Sequence, residues 1–67
     1  MRITLNGEAF ETPGVLSVSE LLARLNLDPR RVAVEHNLAV VKRGAFDGTT
    51  IREGDTVEIV SFVGGGA

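Results

Sequence analysis

Three consecutive glycines, Gly64, Gly65 and Gly66, follow directly on a segment rich in Val, Ile and Phe, and Ala67 comes after them. A backbone without side chains enters a channel too narrow for other residues, and its amides can pair with the channel walls. A carboxylate at the end of such a segment is a poor electrophile, so acyl transfer there requires activation, for example by adenylation, before a sulfur nucleophile attacks. The competing interpretation is an ordinary frayed terminus.

Few other residues have the types and spacing that chemistry requires. The chain has no cysteine and one histidine, His36, which leaves no ligand set for a structural zinc ion. We interpret His36 as a surface residue beside a turn, and we expect no catalytic residues in the chain. Glu53, Asp55 and Glu58 favour a solvated turn and strand face; a charge match to a basic patch on a partner is the alternative.

Composition limits the remaining classes of function. A chain of 67 residues forms one domain, and a net charge of −2 with three Phe as its aromatic residues argues against nucleic-acid binding. No apolar run is long enough to span a membrane. We therefore expect a small cytoplasmic protein.

Alternation of apolar and polar residues predicts short strands separated by turns. Asn6-Gly7 indicates a two-residue hairpin turn, and His36-Asn37 indicates a second turn. The polar segment 42–50 is predicted to be a loop, with Phe46 folded back into the core. The strands predicted before this loop are residues 2–5, 8–11, 32–35 and 38–41.

One helix is clearly indicated. Ser17 is a good N-cap, and Glu20 three residues later completes a capping box. We expect the helix to end near Asn26, because Pro29 biases Asp28 away from helical geometry. The apolar stripe that the strands must cover consists of Val18, Leu21, Leu22 and Leu25.

The last predicted strand, residues 56–63, changes pattern along its length. It begins with alternation, but Val60, Phe62 and Val63 leave apolar groups on both faces. Such a strand is central in a sheet or exposes one face to a partner. For Val60 and Phe62, core packing and partner contact therefore both remain open.

These elements predict an α+β fold of the β-grasp type, in which a mixed sheet of four to five strands packs on one helix. Residues 1–63 form this domain, and residues 64–67 form a flexible, glycine-rich tail. The second face of the sheet has no covering layer. Val60, Phe62 and Glu58 are our candidates for a partner interface on that face.

The chain resembles the ThiS family, the sulfur-carrier proteins of thiamin thiazole biosynthesis within the ubiquitin-like β-grasp superfamily. The opening MRITLNG and the helix segment VSELL are of the family's type, as is VAVEHN at residues 32–37. The ending GDTVEIVSFVGGG at residues 54–66 is the most similar segment. The resemblance covers nearly the whole chain.

The resemblance implies a mechanism carried out by partners. A ThiF-like enzyme uses MgATP to adenylate a C-terminal glycine carboxylate, and a cysteine-derived sulfur donor converts it to a thiocarboxylate. A ThiG-like thiazole synthase then receives the sulfur, and the carrier itself binds no cofactor. Gly66 would bear the sulfur, with Gly64 and Gly65 entering the partner sites. This assignment requires that Ala67 be removed by a protease or be a residue added in cloning; use of Ala67 itself is the third alternative.

Three other functions remain as alternatives. A MoaD-like carrier, the small subunit of molybdopterin synthase, has the same di-glycine ending, but a Pro-rich segment usually precedes it where this chain has Phe62-Val63. The other two are a ubiquitin-like interaction module whose tail has no role and a conjugating modifier.

Overall fold

The computed structural model describes residues 1–62, and these form seven short strands and one α-helix. Single 3₁₀ turns at Pro29–Arg31 and Arg43–Ala45 lie in two of the connections. Val63 and the predicted flexible tail at 64–67 lie outside the described residues. In chain order the elements are β1 (Arg2–Leu5), β2 (Glu8–Glu11), β3 (Leu16–Ser17), α1 (Val18–Arg24), β4 (Val32–His36), β5 (Ala39–Val41), β6 (Thr50–Ile51) and β7 (Thr56–Ser61).

Five of the strands form a mixed sheet in the order β2-β1-β7-β4-β5. The first and last of these strands in sequence, β1 and β7, are parallel neighbours, with Thr4 opposite Thr56 and Leu5 opposite Val57. The other pairs in this sheet are antiparallel. The strand order confirms the predicted β-grasp fold and places β7 at the centre of the sheet.

Two tight turns connect antiparallel strands and point in opposite directions along β7. Asn6 and Gly7 have φ values of 50° and 83°, as a type I′ hairpin turn requires, which confirms the predicted first turn. The second turn lies at Asn37 and Leu38, one residue later than predicted. The difference arises because β4 extends through His36, which pairs with residues on both neighbouring strands.

Helix α1 is closed at both ends by local hydrogen bonds. The Ser17 hydroxyl accepts from the Glu20 N–H at 3.0 Å, and the Glu20 carboxylate accepts from the Ser17 N–H at 2.8 Å, which confirms the capping box. The helix ends two residues earlier than the predicted Asn26. Asn26 has a φ of 59°, and the N–H of Leu27 donates to the Leu22 carbonyl at 2.9 Å. This is a Schellman motif, so Asn26 itself ends the helix and Pro29 is not needed for it.

The segment 42–50 is more ordered than the predicted loop. It contains the second 3₁₀ turn and runs into β6, a two-residue strand whose Ile51 pairs with Leu16 of β3 and is completely buried. Phe46 is buried as predicted, and its carbonyl accepts from the Ser19 N–H in the first turn of α1. A strand of two residues is too short to show alternation, so the sequence pattern did not indicate it.

The core lies between α1 and one face of the sheet. Both faces cannot be covered by one seven-residue helix, and the opposite face of the sheet is left without a second layer of described residues. No helix within residues 1–62 is long and apolar enough to cross a membrane. The buried apolar side chains are Ile3, Leu16, Val18, Leu21, Leu22, Val32, Val34, Phe46, Ile51, Val57 and Ile59.

Candidate functional site

The uncovered face of the sheet is defined by β7, in which buried and exposed side chains alternate. Val57 and Ile59 point into the core, whereas Glu58 and Val60 lie on the opposite side. Val60 is 61% exposed, and Phe62, just after the strand, is 51% exposed. Of the two alternatives for these residues, core packing is therefore wrong, and contact with a partner stays a prediction.

The strand register defines what surrounds Val60. Ala33 of β4 lies opposite Val60, and Glu35 lies opposite Glu58 in the next exposed position. Val40 of β5, which is 74% exposed, lies on the other side of Glu35. We call these five residues, Ala33, Glu35, Val40, Glu58 and Val60, the outer face. It combines small or β-branched apolar groups with two carboxylates.

Phe62 fixes the point at which the chain leaves the sheet. Its N–H donates to the Arg31 carbonyl at 2.8 Å, in the connection that leads into β4. The chain therefore continues toward Gly64, Gly65 and Gly66 from the end of the central strand. These three glycines lie outside the described residues, and their role stays a prediction.

His36 and Asp55 form a contact that the sequence analysis missed. The His36 Nε2 lies 2.7 Å from the Asp55 Oδ2, and the two side chains are only 20% and 18% exposed. Asp55 also accepts from the Arg52 N–H at 2.9 Å. His36 lies beside a turn, as predicted, but its side chain and that of Asp55 are less exposed than the expected surface histidine and solvated turn imply. The two residues are 19 positions apart and meet because of the β4–β7 register, which a single sequence does not reveal.

The environment of Asp55 shifts its acidity. Partial burial alone raises the pKa of Asp55, but hydrogen bonds from His36, from the Arg52 amide and from Asn37 outweigh burial. The net result is a pKa below the ordinary value of 3.8. The pair links the β4–β5 turn to the start of β7, and no nucleophile among the described residues is recorded in contact with it. These contacts hold the two parts of the chain together.

The described residues do not bring together a metal site. Across residues 1–62, no group of three or more His, Asp or Glu side chains converges on one point. Glu53 accepts from the Arg2 amide at 3.1 Å and thereby ties the turn before β7 to β1. Two features are therefore candidates for a functional site: the outer face, and the point near Phe62 at which the chain leaves the sheet.

Comparison with known proteins identifies the family. The family model described as "ThiS family" matches residues 3–66, which include the three glycines. The chain belongs to the ThiS family. A crystal structure of the thiamine biosynthesis protein ThiS from Geobacter metallireducens is 42% identical, covers 96% of this chain and 97% of its own, and superposes with a TM-score of 0.85. An NMR structure of a thiamine biosynthesis protein from the same organism gives 43% identity and a TM-score of 0.83 over 100% of this chain and 90% of its own.

The curated relatives include much longer proteins. A thiazole synthase of Paramagnetospirillum magneticum is 39% identical over 67 residues, which are 100% of this chain and 21% of that protein. A thiazole synthase of Magnetococcus marinus is 42% identical over 98% of this chain and 20% of its own length. The chain thus spans about a fifth of these two relatives. An uncharacterized protein of Porphyra purpurea, ycf40, is 39% identical over 96% of this chain and 90% of its own.

Proposed function

We propose that the protein is a sulfur carrier for the thiazole ring of thiamin. The observation that carries this proposal is the family match, which extends through the glycines to residue 66. The fold supports it, because the central strand β7 leads directly into the glycine segment and leaves an exposed sheet face beside it. A carrier needs both features: a thin acyl terminus and a surface on which partners dock.

The proposed chemistry takes place at the Gly66 carboxylate. A carboxylate oxygen attacks the α-phosphorus of MgATP in a ThiF-like enzyme, which forms the acyl-adenylate and releases pyrophosphate. The outer sulfur of a cysteine-derived persulfide then attacks the acyl carbon, and AMP leaves. A thiol reductant cleaves the acyl disulfide that forms, which releases the thiocarboxylate and a disulfide. The resulting thiocarboxylate is the sulfur donor to a ThiG-like thiazole synthase. The carrier contributes no catalytic group to these steps.

Ala67 decides which residue reacts. While Ala67 is attached, the Gly66 carbonyl is part of a peptide bond and has no carboxylate to adenylate. The mechanism on Gly66 therefore includes removal of Ala67 before activation, unless Ala67 was added in cloning. Activation of Ala67 itself is the alternative to this mechanism.

The longer relatives support a thiazole synthase as one partner. In the two bacterial proteins named thiazole synthase, a region similar to this chain is part of the same polypeptide as the remaining four-fifths. Joining two domains in one chain raises their effective concentration and favours those that act together. We propose that Val60, Phe62 and Glu58 form the docking surface for the adenylating enzyme and for the thiazole synthase, since they lie near the point where the chain leaves the sheet.

Intact mass spectrometry tests the carrier function. A form that ends at Gly66 is incubated with MgATP, a ThiF-like enzyme, a cysteine desulfurase, cysteine and a thiol reductant. We expect the mass increase of a sulfur-for-oxygen exchange in this form and none without ATP. Absence of the increase in the Gly66-ending form contradicts the proposal. An increase in the form that retains Ala67 assigns the reaction to Ala67.

A matched pair of substitutions tests the docking surface. Val60 and Val15 are both 61% exposed, but Val15 lies in the connection before β3 and outside the outer face. We expect Val60→Asp to raise the KM for the carrier in adenylation about tenfold, which corresponds to about 1.4 kcal/mol. Val15→Asp should leave that KM within about twofold of the wild-type value. Equal KM values for the two variants would exclude Val60 from the interface.

A further inference from the structure

The cations of this protein are unevenly distributed. Four of its seven Lys and Arg residues, Arg30, Arg31, Lys42 and Arg43, lie in two connections that flank β4 and β5. The whole chain nevertheless has a net charge of −2. We call these four residues the basic collar.

Recorded contacts bring the basic collar to the point where the chain leaves the sheet. The Arg43 guanidinium donates to the Arg30 carbonyl at 3.4 Å, which joins the two connections. The neighbouring Arg31 carbonyl accepts from the Phe62 N–H. Lys42 directly precedes Arg43 and is exposed. Positive charge therefore flanks the backbone immediately before residues 63–67.

One carboxylate only partly neutralises the basic collar. The Asp28 Oδ2 lies 3.0 Å from the Arg30 Nη2 and 3.8 Å from the Arg31 Nε. Hydrogen bonds from Arg30 lower the pKa of Asp28 to about 2, so Asp28 is ionised at neutral pH. Within residues 1–62, no second carboxylate is recorded within 4 Å of these four cations. Arg30 and Arg31 remain 78% and 71% exposed.

Stability does not explain this arrangement. Exposed ion pairs contribute little to folding, and clustered like charges repel one another. A surface that retains several exposed cations in one place is suited to attracting an anionic surface at a distance of about 8 Å, the screening length in physiological salt. Such attraction acts mainly on the rate of association.

We propose that the basic collar docks on an acidic protein surface at the mouth of the channel in which the adenylating partner receives the glycine segment. This inference rests on the proposed function and adds the chemistry of the partner's surface. The anion is protein carboxylate and not the nucleotide, because Gly66 is four residues beyond Phe62. Four residues that are fully extended in a channel span about 13 Å. In that conformation the reacting phosphate lies well beyond the basic collar.

Association kinetics test the proposal with charge-matched variants. Arg31→Gln with Arg43→Gln removes two charges from the basic collar and leaves the Asp28–Arg30 pair intact. Arg24→Gln with Arg52→Gln removes two charges elsewhere. At low salt we expect the collar variant to associate with the adenylating enzyme about five- to tenfold more slowly than wild type, and the control variant within about twofold. At high salt the difference should disappear. Equal rates for the two variants at low salt overturn the proposal.

Two further measurements separate the possible failures. If the wild-type form ending at Gly66 gains no sulfur mass at saturating partner, the proposed function fails, whatever the association rates. A higher KM for ATP with an unchanged association rate would instead assign the basic collar to the nucleotide phosphates and overturn the docking proposal.

A second collar variant guards against an effect on folding. If Arg31→Gln with Arg43→Gln has a lowered Tm, Lys42→Gln with Arg43→Gln replaces it, since neither Lys42 nor Arg43 contacts Asp28.

Discussion

His36 and Asp55 show how one contact connects distant parts of this small chain. This hydrogen-bonded pair joins the last residue of β4 to the residue before β7, and the side-chain oxygen of Asn37 accepts a further hydrogen bond from the Thr56 N–H at 2.9 Å. Removing either partner would leave a polar group that is mostly shielded from water. Such groups cost more when they are unpaired than they contribute when they are paired.

The first prediction concerns acid stability. Because the pKa of Asp55 is lower in the folded protein than its ordinary value of 3.8, the ionised group stabilises the fold above that value. This contribution is lost as the pH falls below 3.8 toward the folded-state pKa. We expect Asp55→Asn to flatten the pH dependence of the free energy of unfolding in this acidic range, as measured by urea denaturation. Parallel curves for the variant and wild type would exclude the linkage.

Leu38 is the second residue with a testable energetic effect. It has a φ of 72° and is 86% exposed, so its side chain gains little from packing while its backbone is strained. Left-handed geometry costs a residue other than Gly about 1–2 kcal/mol, and the greater freedom of Gly in the unfolded chain offsets about half of this. We expect Leu38→Gly to raise the free energy of unfolding by about 0.5 kcal/mol.

The neighbouring strand supplies the control for this substitution. Ala39 lies in the extended strand β5. Ala39→Gly should therefore lower the free energy of unfolding by about 0.5–1 kcal/mol in the same chemical denaturation experiment. If both glycine variants are destabilised equally, Leu38 is not strained.

At the scale of elements, α1 depends on its ends more than most helices do. It has seven residues, and isolated helices of this length are unstable in water. The capping box satisfies backbone donors that would otherwise be unpaired. We expect Ser17→Ala to lower the free energy of unfolding by about 1 kcal/mol, and Ser17→Thr to retain most of the stability because it keeps the hydroxyl. Equal losses in urea denaturation for both variants would indicate that the cap contributes nothing.

The elements also show what the sequence predicts and where it fails. The first hairpin and the capped helix follow from local signals, namely Asn6-Gly7 and the Ser17–Glu20 pair, and the structure confirms both. Strand β6 is too short to have a periodic pattern. The His36–Asp55 pair and the basic collar depend on register and on connections that converge in space, so no local pattern indicates them.

At the scale of the whole molecule, the stability of the fold and the proposed chemistry depend on different residues. The core cluster of the described residues extends from Ile3 to Ile59, well before the glycines. We expect deletion of residues 64–67 to change the free energy of unfolding by less than about 0.5 kcal/mol and to abolish thiocarboxylate formation. Urea denaturation and intact mass measure the two effects. A loss of more than about 1 kcal/mol would show that the tail contributes to the fold.

The central position of β7 has a mechanical consequence. A force applied to the chain beyond Phe62 acts on β7 along its axis. The parallel strand β1 and the antiparallel strand β4 hold β7 on both sides, and the Asn6 side chain accepts from the Ile59 N–H at 2.7 Å. A pull in this direction shears both ladders at once and cannot open their hydrogen bonds one by one. The fold therefore resists traction applied to the chain beyond Phe62.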